Sequence, residues 1–160
     1  MDSDAMRPRI AYFKVAPDAM QAMHGLEEYV AKSGLEAPLL ELVRIRASQI
    51  NGCAYCLDMH TKDARAGGES EQRLYALAAW RETPFYTARE RAALAWCEAV
   101  TRLADDSVSD PLFDAVRAQF SEGEVVALTM AVVAINGWNR LAVSLRTVPG
   151  TYRRPAARPK

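Results

Sequence analysis

Four residues in one stretch of the chain carry the types and spacing of thiol chemistry: Glu41, Cys53, Cys56 and His60. On a helix, Cys53 and Cys56 share a face at a three-residue step, and Cys56 and His60 meet at a four-residue step. Asn51-Gly52 breaks the preceding segment and puts Cys53 in the first turn of its helix. There the unpaired N–H groups and the positive end of the helix dipole favour a thiolate, the form that acts as nucleophile. A positioned histidine can take a proton from Cys56 and return it to a leaving oxygen. Glu41, one helix earlier, can orient that imidazole if the two helices pack antiparallel. Redox chemistry is the use these residues suit best; metal binding and inert packing of the cysteines stay open. A structural zinc site needs four ligands. No fourth Cys or His stands at a familiar spacing, so Glu41 would have to serve. A thioredoxin-like pair would follow a strand of a βαβ unit, and no such strand is visible.

The rest of the composition narrows the setting. The chain has 160 residues, enough for one domain and one core. Twenty basic and twenty acidic residues cancel to a formal net charge of zero. No basic surplus points to nucleic acid or to an anionic membrane surface. No charge-free apolar run reaches transmembrane length, and the N-terminal MDSDAMRPRI lacks the apolar stretch of a signal peptide. A cytoplasmic location is the expectation. Three cysteines are an odd and small set for a secreted scaffold. In a reducing compartment a close pair points to catalysis, redox or metal.

The elements that must position these residues read as helices throughout. Met20, Met23, Leu26, Tyr29 and Val30 recur at helical steps between Asp18 and Ser33, with Pro17 before and Gly34 after. Pro38 opens a second helix with Leu39, Leu42, Val43 and Ile50 on its apolar side, ended by Asn51-Gly52. A third runs from Cys53 to Ala66, closed by Gly67-Gly68, and Ser70 caps a fourth through Trp80. After a loop around Pro84, Thr87 with Glu90 and Ser121 with Glu124 form two capping boxes; Asp110-Pro111 starts a helix between them, with Leu112, Val116 and Phe120 inward. From Val125 to Leu145 the chain is apolar on nearly every face, which places that helix in a core or between subunits. The expected fold class is all-α, about seven helices in one domain over 1–160, with an extended arm from about Val148.

With the residues laid out, a resemblance is plain. Glu41, then eleven residues, Cys53, two residues, Cys56, three residues, His60 resembles the signature of the alkylhydroperoxidase D and carboxymuconolactone decarboxylase superfamily. The wording N-G-C-A-Y-C-L-D-M-H-T-K-D-A-R-A-G-G looks like its peroxidase-related branch, and Ile135-Asn-Gly-Trp138-Asn139-Arg140 gives a second match. The resemblance implies an alkylhydroperoxidase D-like all-α fold, assembly into a trimer-based hexamer, and antioxidant peroxidase activity. It implies that Cys56 becomes a sulfenic acid, that Cys53 closes a Cys53–Cys56 disulfide, and that His60 and Glu41 relay the proton. The partners implied are a hydroperoxide and an external dithiol; no cofactor or metal is implied. The alkylhydroperoxidase D subunit often has a second histidine where this chain has Tyr55. Two rival functions remain: a cofactor-independent lactone decarboxylase, which needs no vicinal thiols, and a non-enzymatic redox sensor or adaptor.

Other polar or aromatic positions have plainer expectations. His24, among Met20, Met23 and Leu26, reads as a structural histidine. Cys97 reads as core, since free cysteines are commonly buried as small hydrophobes. Trp80, Trp96 and Trp138 read as packing residues, and Asp58 and Asp63 as solvent-facing. Asn139 and Arg140 stand between interface and site wall, and Tyr55 between the thiol pocket and a subunit contact.

Overall fold

The computed structural model describes residues 7–155, and all regular structure among them is helical. In order come α1 (Tyr12–Val15), α2 (Pro17–Ala31), α3 (Ala37–Asn51), α4 (Ala54–Ala66) and α5 (Glu71–Ala76). A 3-10 segment over Leu77–Glu82 follows, then α6 (Ala88–Arg102), α7 (Asp110–Arg117) and α8 (Glu122–Ser144). All the helices expected from periodicity are present. The short α1 is additional; a single turn is too short to show a helical period. The helix expected through Trp80 breaks early, because Ala79 leaves helical geometry (φ −116°, ψ 31°). The tightened turn brings Trp80 to Glu98, whose carboxylate accepts the indole N–H at 2.9 Å.

Helix starts follow the local chemistry. Thr87 with Glu90 and Ser121 with Glu124 form complete capping boxes for α6 and α8. The α3–α4 corner matters most for the site. Gly52 sits at φ 65°, ψ 33° and ends α3 in the left-handed conformation that glycine adopts without steric cost. Cys53 returns to extended geometry as the N-cap of α4.

Helix α3 is the axis of the molecule and packs against α4, α6 and α8. Its Leu39, Leu42, Val43, Ile45 and Ala47 are all buried. Burying each such Leu, Ile or Val side chain contributes about 1.5–3 kcal/mol. Helix α8 crosses this layer and also packs on α2 and α6. By length and composition α8 could cross a membrane, but half of it is buried against these neighbours, as in a core helix. Its Val125, Leu128, Val132 and Ile135 are buried within the subunit, and Met130 and Leu141 are partly buried. Of the two expected places for this stretch, a core and a subunit contact, these residues take the core. The large apolar residues that stay exposed on α8 are Val126, Val133 and Val143.

The chain after α8 turns back onto its own α4. The Gly150 N–H donates to Asp58 at 3.1 Å, and Tyr152 donates its hydroxyl proton to Asp63 at 2.9 Å. Asp58 and Asp63, expected to face solvent, are the anchors for this segment. The arm is thus described through Pro155; its last five positions, like the start of MDSDAMRPRI, lie outside the described residues.

Candidate active site

The α3–α4 corner holds the thiols. Cys53 caps α4 and accepts a hydrogen bond from the Cys56 N–H through its sulfur, at 3.3 Å. The two sulfur atoms stand at disulfide distance, with Cα atoms 5.4 Å apart, inside the span a disulfide bridges. Both residues are almost completely buried. They differ in one respect: Cys56 lines a cavity of about 280 Å³, and Cys53 is not among its lining residues.

His60, one turn beyond Cys56, lines the same cavity. Its Nδ1 lies 2.9 Å from Glu41 Oε2, so α3 and α4 do bring glutamate and histidine together. With Nδ1 held by the carboxylate, the other ring nitrogen is left for proton transfer. Glu41 is itself placed by Arg44, which donates to Glu41 at 2.8 Å and to Glu27 at 2.7 Å. Burial pushes the Glu41 carboxyl up, but the hydrogen bond and charge of His60, with Arg44 behind them, hold it below the ordinary carboxylate value. Glu41 is therefore a carboxylate at neutral pH.

A buried polar network fixes the corner from behind. Asn51 donates to Asn139 at 2.9 Å and to Asn136 at 3.0 Å. Asn139 donates to the Ser48 hydroxyl at 3.0 Å, and the Ser48 carbonyl accepts the Cys53 N–H at 3.0 Å. Ser48 and Asn139 are fully buried. The network ties α8 to the residues on either side of Gly52, and so sets where α4 begins. Asn139 is thus part of the support of the site, while Arg140 is exposed and bonds back to Asn136.

The cavity wall holds residues the sequence did not reveal. Tyr12 and Phe13 of α1, His24 of α2 and Trp138 of α8 line it, with Tyr55 and Met59 of α4. His24, expected as a structural histidine, is exposed and lines this wall, and Trp138 faces the cavity, whereas Trp80 and Trp96 are packing residues as expected. Tyr55 takes the pocket side of its two expected positions. Cys97 is core: its thiol donates to the Val43 carbonyl at 3.4 Å, and burial pushes its pKa up to about 12. Among the described residues, no three His, Cys, Asp or Glu side chains stand together in a way that could hold a metal ion.

The pattern of the carboxymuconolactone decarboxylase family matches residues 17–99, more than half of the chain. The chain belongs to that family. It is 42% identical to the uncharacterized protein YdfG of Bacillus subtilis (strain 168), over 88% of this chain and 95% of YdfG. Among solved structures, it is 46% identical to an Agrobacterium tumefaciens protein of unknown function, proposed to be the antioxidant defence protein AhpD. That superposition covers 91% of this chain and all of the other, with a TM-score of 0.87. A peroxidase-related protein from Silicibacter sp. TM1040 shares the fold at 22% identity and a TM-score of 0.74, over 84% of this chain and 71% of that one. The alkylhydroperoxidase D-like fold of the carboxymuconolactone decarboxylase superfamily is therefore the fold of this chain.

Proposed function

We propose that the protein is a thiol-dependent peroxidase with Cys56 as the attacking residue. The observation that carries this is the position of Cys56, at disulfide distance from Cys53 and opening, with His60, onto one cavity. His60, held by Glu41, takes the Cys56 proton. The thiolate attacks one peroxide oxygen, the O–O bond breaks, and the other oxygen leaves as an alcohol or water with the proton from His60. Cys56 is then a sulfenic acid. Cys53 attacks that sulfur, a disulfide forms, and the sulfenic oxygen leaves as water. An external dithiol returns both thiols by exchange and is itself oxidised. The helix dipole favours the thiolate at Cys53, but only Cys56 meets the cavity, and access favours Cys56.

The antioxidant assignment proposed for the Agrobacterium tumefaciens relative supports the same reading. A lactone decarboxylase would leave the vicinal thiols unused. The reading carries a cytoplasmic setting, since a reducing pool must regenerate the thiols. It also carries a homo-oligomer, with a trimer-based hexamer as the form. The exposed row of Val126, Val133 and Val143 on α8 favours self-association. Light scattering at micromolar concentration should give a multiple of 17.7 kDa.

The deciding experiment treats reduced protein with mild peroxide and maps the peptide that holds both cysteines. A loss of two hydrogens confined to that peptide, with steady turnover when a dithiol is supplied, is the expected result. Disulfide formation without turnover would make the protein a redox sensor, and oxidation at Cys97 with the pair left reduced would remove the site.

A further inference from the structure

The cavity beside Cys56 has a wall that peroxide chemistry alone does not require. Phe13 and Trp138 are nearly parallel, 12° apart in plane with ring centres 6.1 Å apart. His24 tilts against both, 5.4 Å from Trp138 and 6.3 Å from Phe13. Tyr12 stands 4.9 Å from Phe13. Four rings from three separate elements thus converge on one cavity, and the same cavity is lined by Cys56 and His60.

Helix α1 looks built for that placement. It is one turn long and lacks a side-chain cap at its start. It is held by contacts at the far end of α8: the Arg9 N–H donates to the Leu145 carbonyl at 2.9 Å, and the Tyr12 hydroxyl meets Thr147 Oγ1 at 3.0 Å. Phe13 keeps 52% of its surface exposed. An aromatic side chain held in place yet half unburied leaves apolar surface for something else to cover.

The opposite side of the cavity is polar. Glu27, Arg44, Glu41 and His60 form one paired row. The Tyr55 hydroxyl has no hydrogen-bond partner among the described residues, and burial together with Tyr12 and Asp58 raises its pKa, so it is present as a donor. A cavity with an aromatic wall, a polar side and a nucleophile between them fits a molecule with one flat apolar end and one polar end. Its volume of about 280 Å³ exceeds the roughly 150 Å³ of an apolar cavity that admits benzene, and one side is open to solvent. A single ring with a short substituent fits that space.

We infer that this cavity seats an aromatic ring against Phe13 and Trp138, and that the substrates are alkyl hydroperoxides bearing an aryl group, with the peroxide end at Cys56. The ring site rests on the wall itself, and only the identity of the reacting group rests on the peroxidase reading. Ring recognition by offset or edge contacts favours an aryl over a saturated group of the same size by about tenfold, the equivalent of one well-placed aromatic pair.

Two measurements separate the claims. Cys56→Ser protein is titrated with 2-phenylpropan-2-ol and with its cyclohexyl counterpart, following by NMR the ring signals of Phe13, Tyr55 and Trp138, of which each variant keeps at least two. Saturable binding that is about tenfold tighter for the phenyl compound, and weakened in Phe13→Ala and Trp138→Leu backgrounds, is expected. Equal binding of the two alcohols, or binding of neither, overturns the ring site whatever the turnover. In the second measurement, wild-type kcat/KM is compared for cumene hydroperoxide, tert-butyl hydroperoxide and hydrogen peroxide. A preference for the aryl peroxide that collapses in Phe13→Ala through a raised KM supports the proposal. Phe13 is half exposed, so that variant should fold, and circular dichroism checks it. If the phenyl alcohol binds as expected but no peroxide is turned over, the ring site stands and the peroxidase reading falls. If hydrogen peroxide is turned over as efficiently as the aryl peroxide, the substrate class is overturned.

Discussion

His60 Nδ1 and Glu41 Oε2 lie 2.9 Å apart across the α3–α4 contact, although 19 residues separate them in the chain. The contact does two things: it fixes the imidazole and it holds Glu41 ionised. His60→Ala should slow peroxide reduction by about a hundredfold or more, the usual contribution of a positioned general base. Glu41→Gln should cost less, because the amide still accepts a hydrogen bond but brings no charge. Pre-steady-state rates across pH, with circular dichroism as control, check both. In the wild type, Glu41 should stay ionised until the pH falls below the ordinary carboxylate value near 4.5. Acid loss of rate above that point would have to come from another group. Wild-type rates in both folded variants would remove the relay.

Cys53 and Cys56 differ in access, and their variants should differ in product. Cys56→Ser should abolish turnover, while Cys53→Ser should accumulate sulfenic acid at Cys56 or its over-oxidised forms. A sulfenic-acid-selective reagent distinguishes them by mass. Labelling at Cys53 in the Cys56→Ser protein, with none in the reverse variant, would exchange the roles. Cys97 should stay unlabelled throughout, since its buried thiol is held protonated up to about 12.

Asn139 bonds Asn51 and Ser48 from 88 and 91 residues away and has 1% of its surface exposed. Asn139→Leu takes one hydrogen bond from Asn51, which keeps Asn136, and one from the buried Ser48 hydroxyl, which still donates to the Arg44 carbonyl. Each lost hydrogen bond costs about 0.5–1.5 kcal/mol net, so the thermal midpoint should fall by several degrees. The loss should reach the site as well, because the network holds the residues flanking Gly52. Slower disulfide closure in the folded variant, followed by stopped-flow after peroxide addition, is the expected sign. Unchanged stability and unchanged closure would reduce the network to a bystander.

The arrangement of the thiols and the histidine was legible because it is local. Cys53, Cys56 and His60 lie within one helix, and a 3.6-residue period is enough to align them. Glu41 sits one helix away, and its contact needed only the packing of two sequence neighbours. The capping boxes at Thr87 and Ser121 and the break at Gly52 were readable for the same reason. The aromatic wall was not. Phe13, His24 and Trp138 come from three elements up to 125 residues apart (138 − 13), and no spacing rule joins them. Asn51 and Asn139 meet by the same kind of long-range packing. His24 was expected as a structural histidine from its neighbours Met20, Met23 and Leu26; it is exposed instead, and α1 and α8 make that position part of a cavity wall. Arg44 carried a signal that went unused: at three positions after Glu41 on one helix, it was placed to pair with it.

Glu98 supplies a test of stability that is independent of the thiols. Its side chain is 5% exposed and accepts hydrogen bonds from Arg46 at 2.8 Å, Trp80 at 2.9 Å and Arg81 at 2.5 Å. Burial pushes its pKa up, but Arg81, Trp80 and Arg46 outweigh burial and lower it overall. Removing one member of a buried pair costs about 3–5 kcal/mol, mostly because the partner is left charged and unpaired. Here that partner is Arg46, itself only 11% exposed. Glu98→Gln should therefore lower the thermal midpoint clearly at pH 7. The sign of the pH dependence follows from the direction of the shift. A carboxylate whose folded pKa is depressed contributes its stability in full above its unfolded value, near 4.5. That contribution is lost as the pH falls through the lower folded value. The gap between wild type and Glu98→Gln should be constant from neutral pH down to about that point and then narrow. Glu41 titrates alike in both proteins and cancels from the comparison. Calorimetry from pH 7 downward checks this, and a gap that widens in acid would mean that Glu98 is not held as a carboxylate by its three donors.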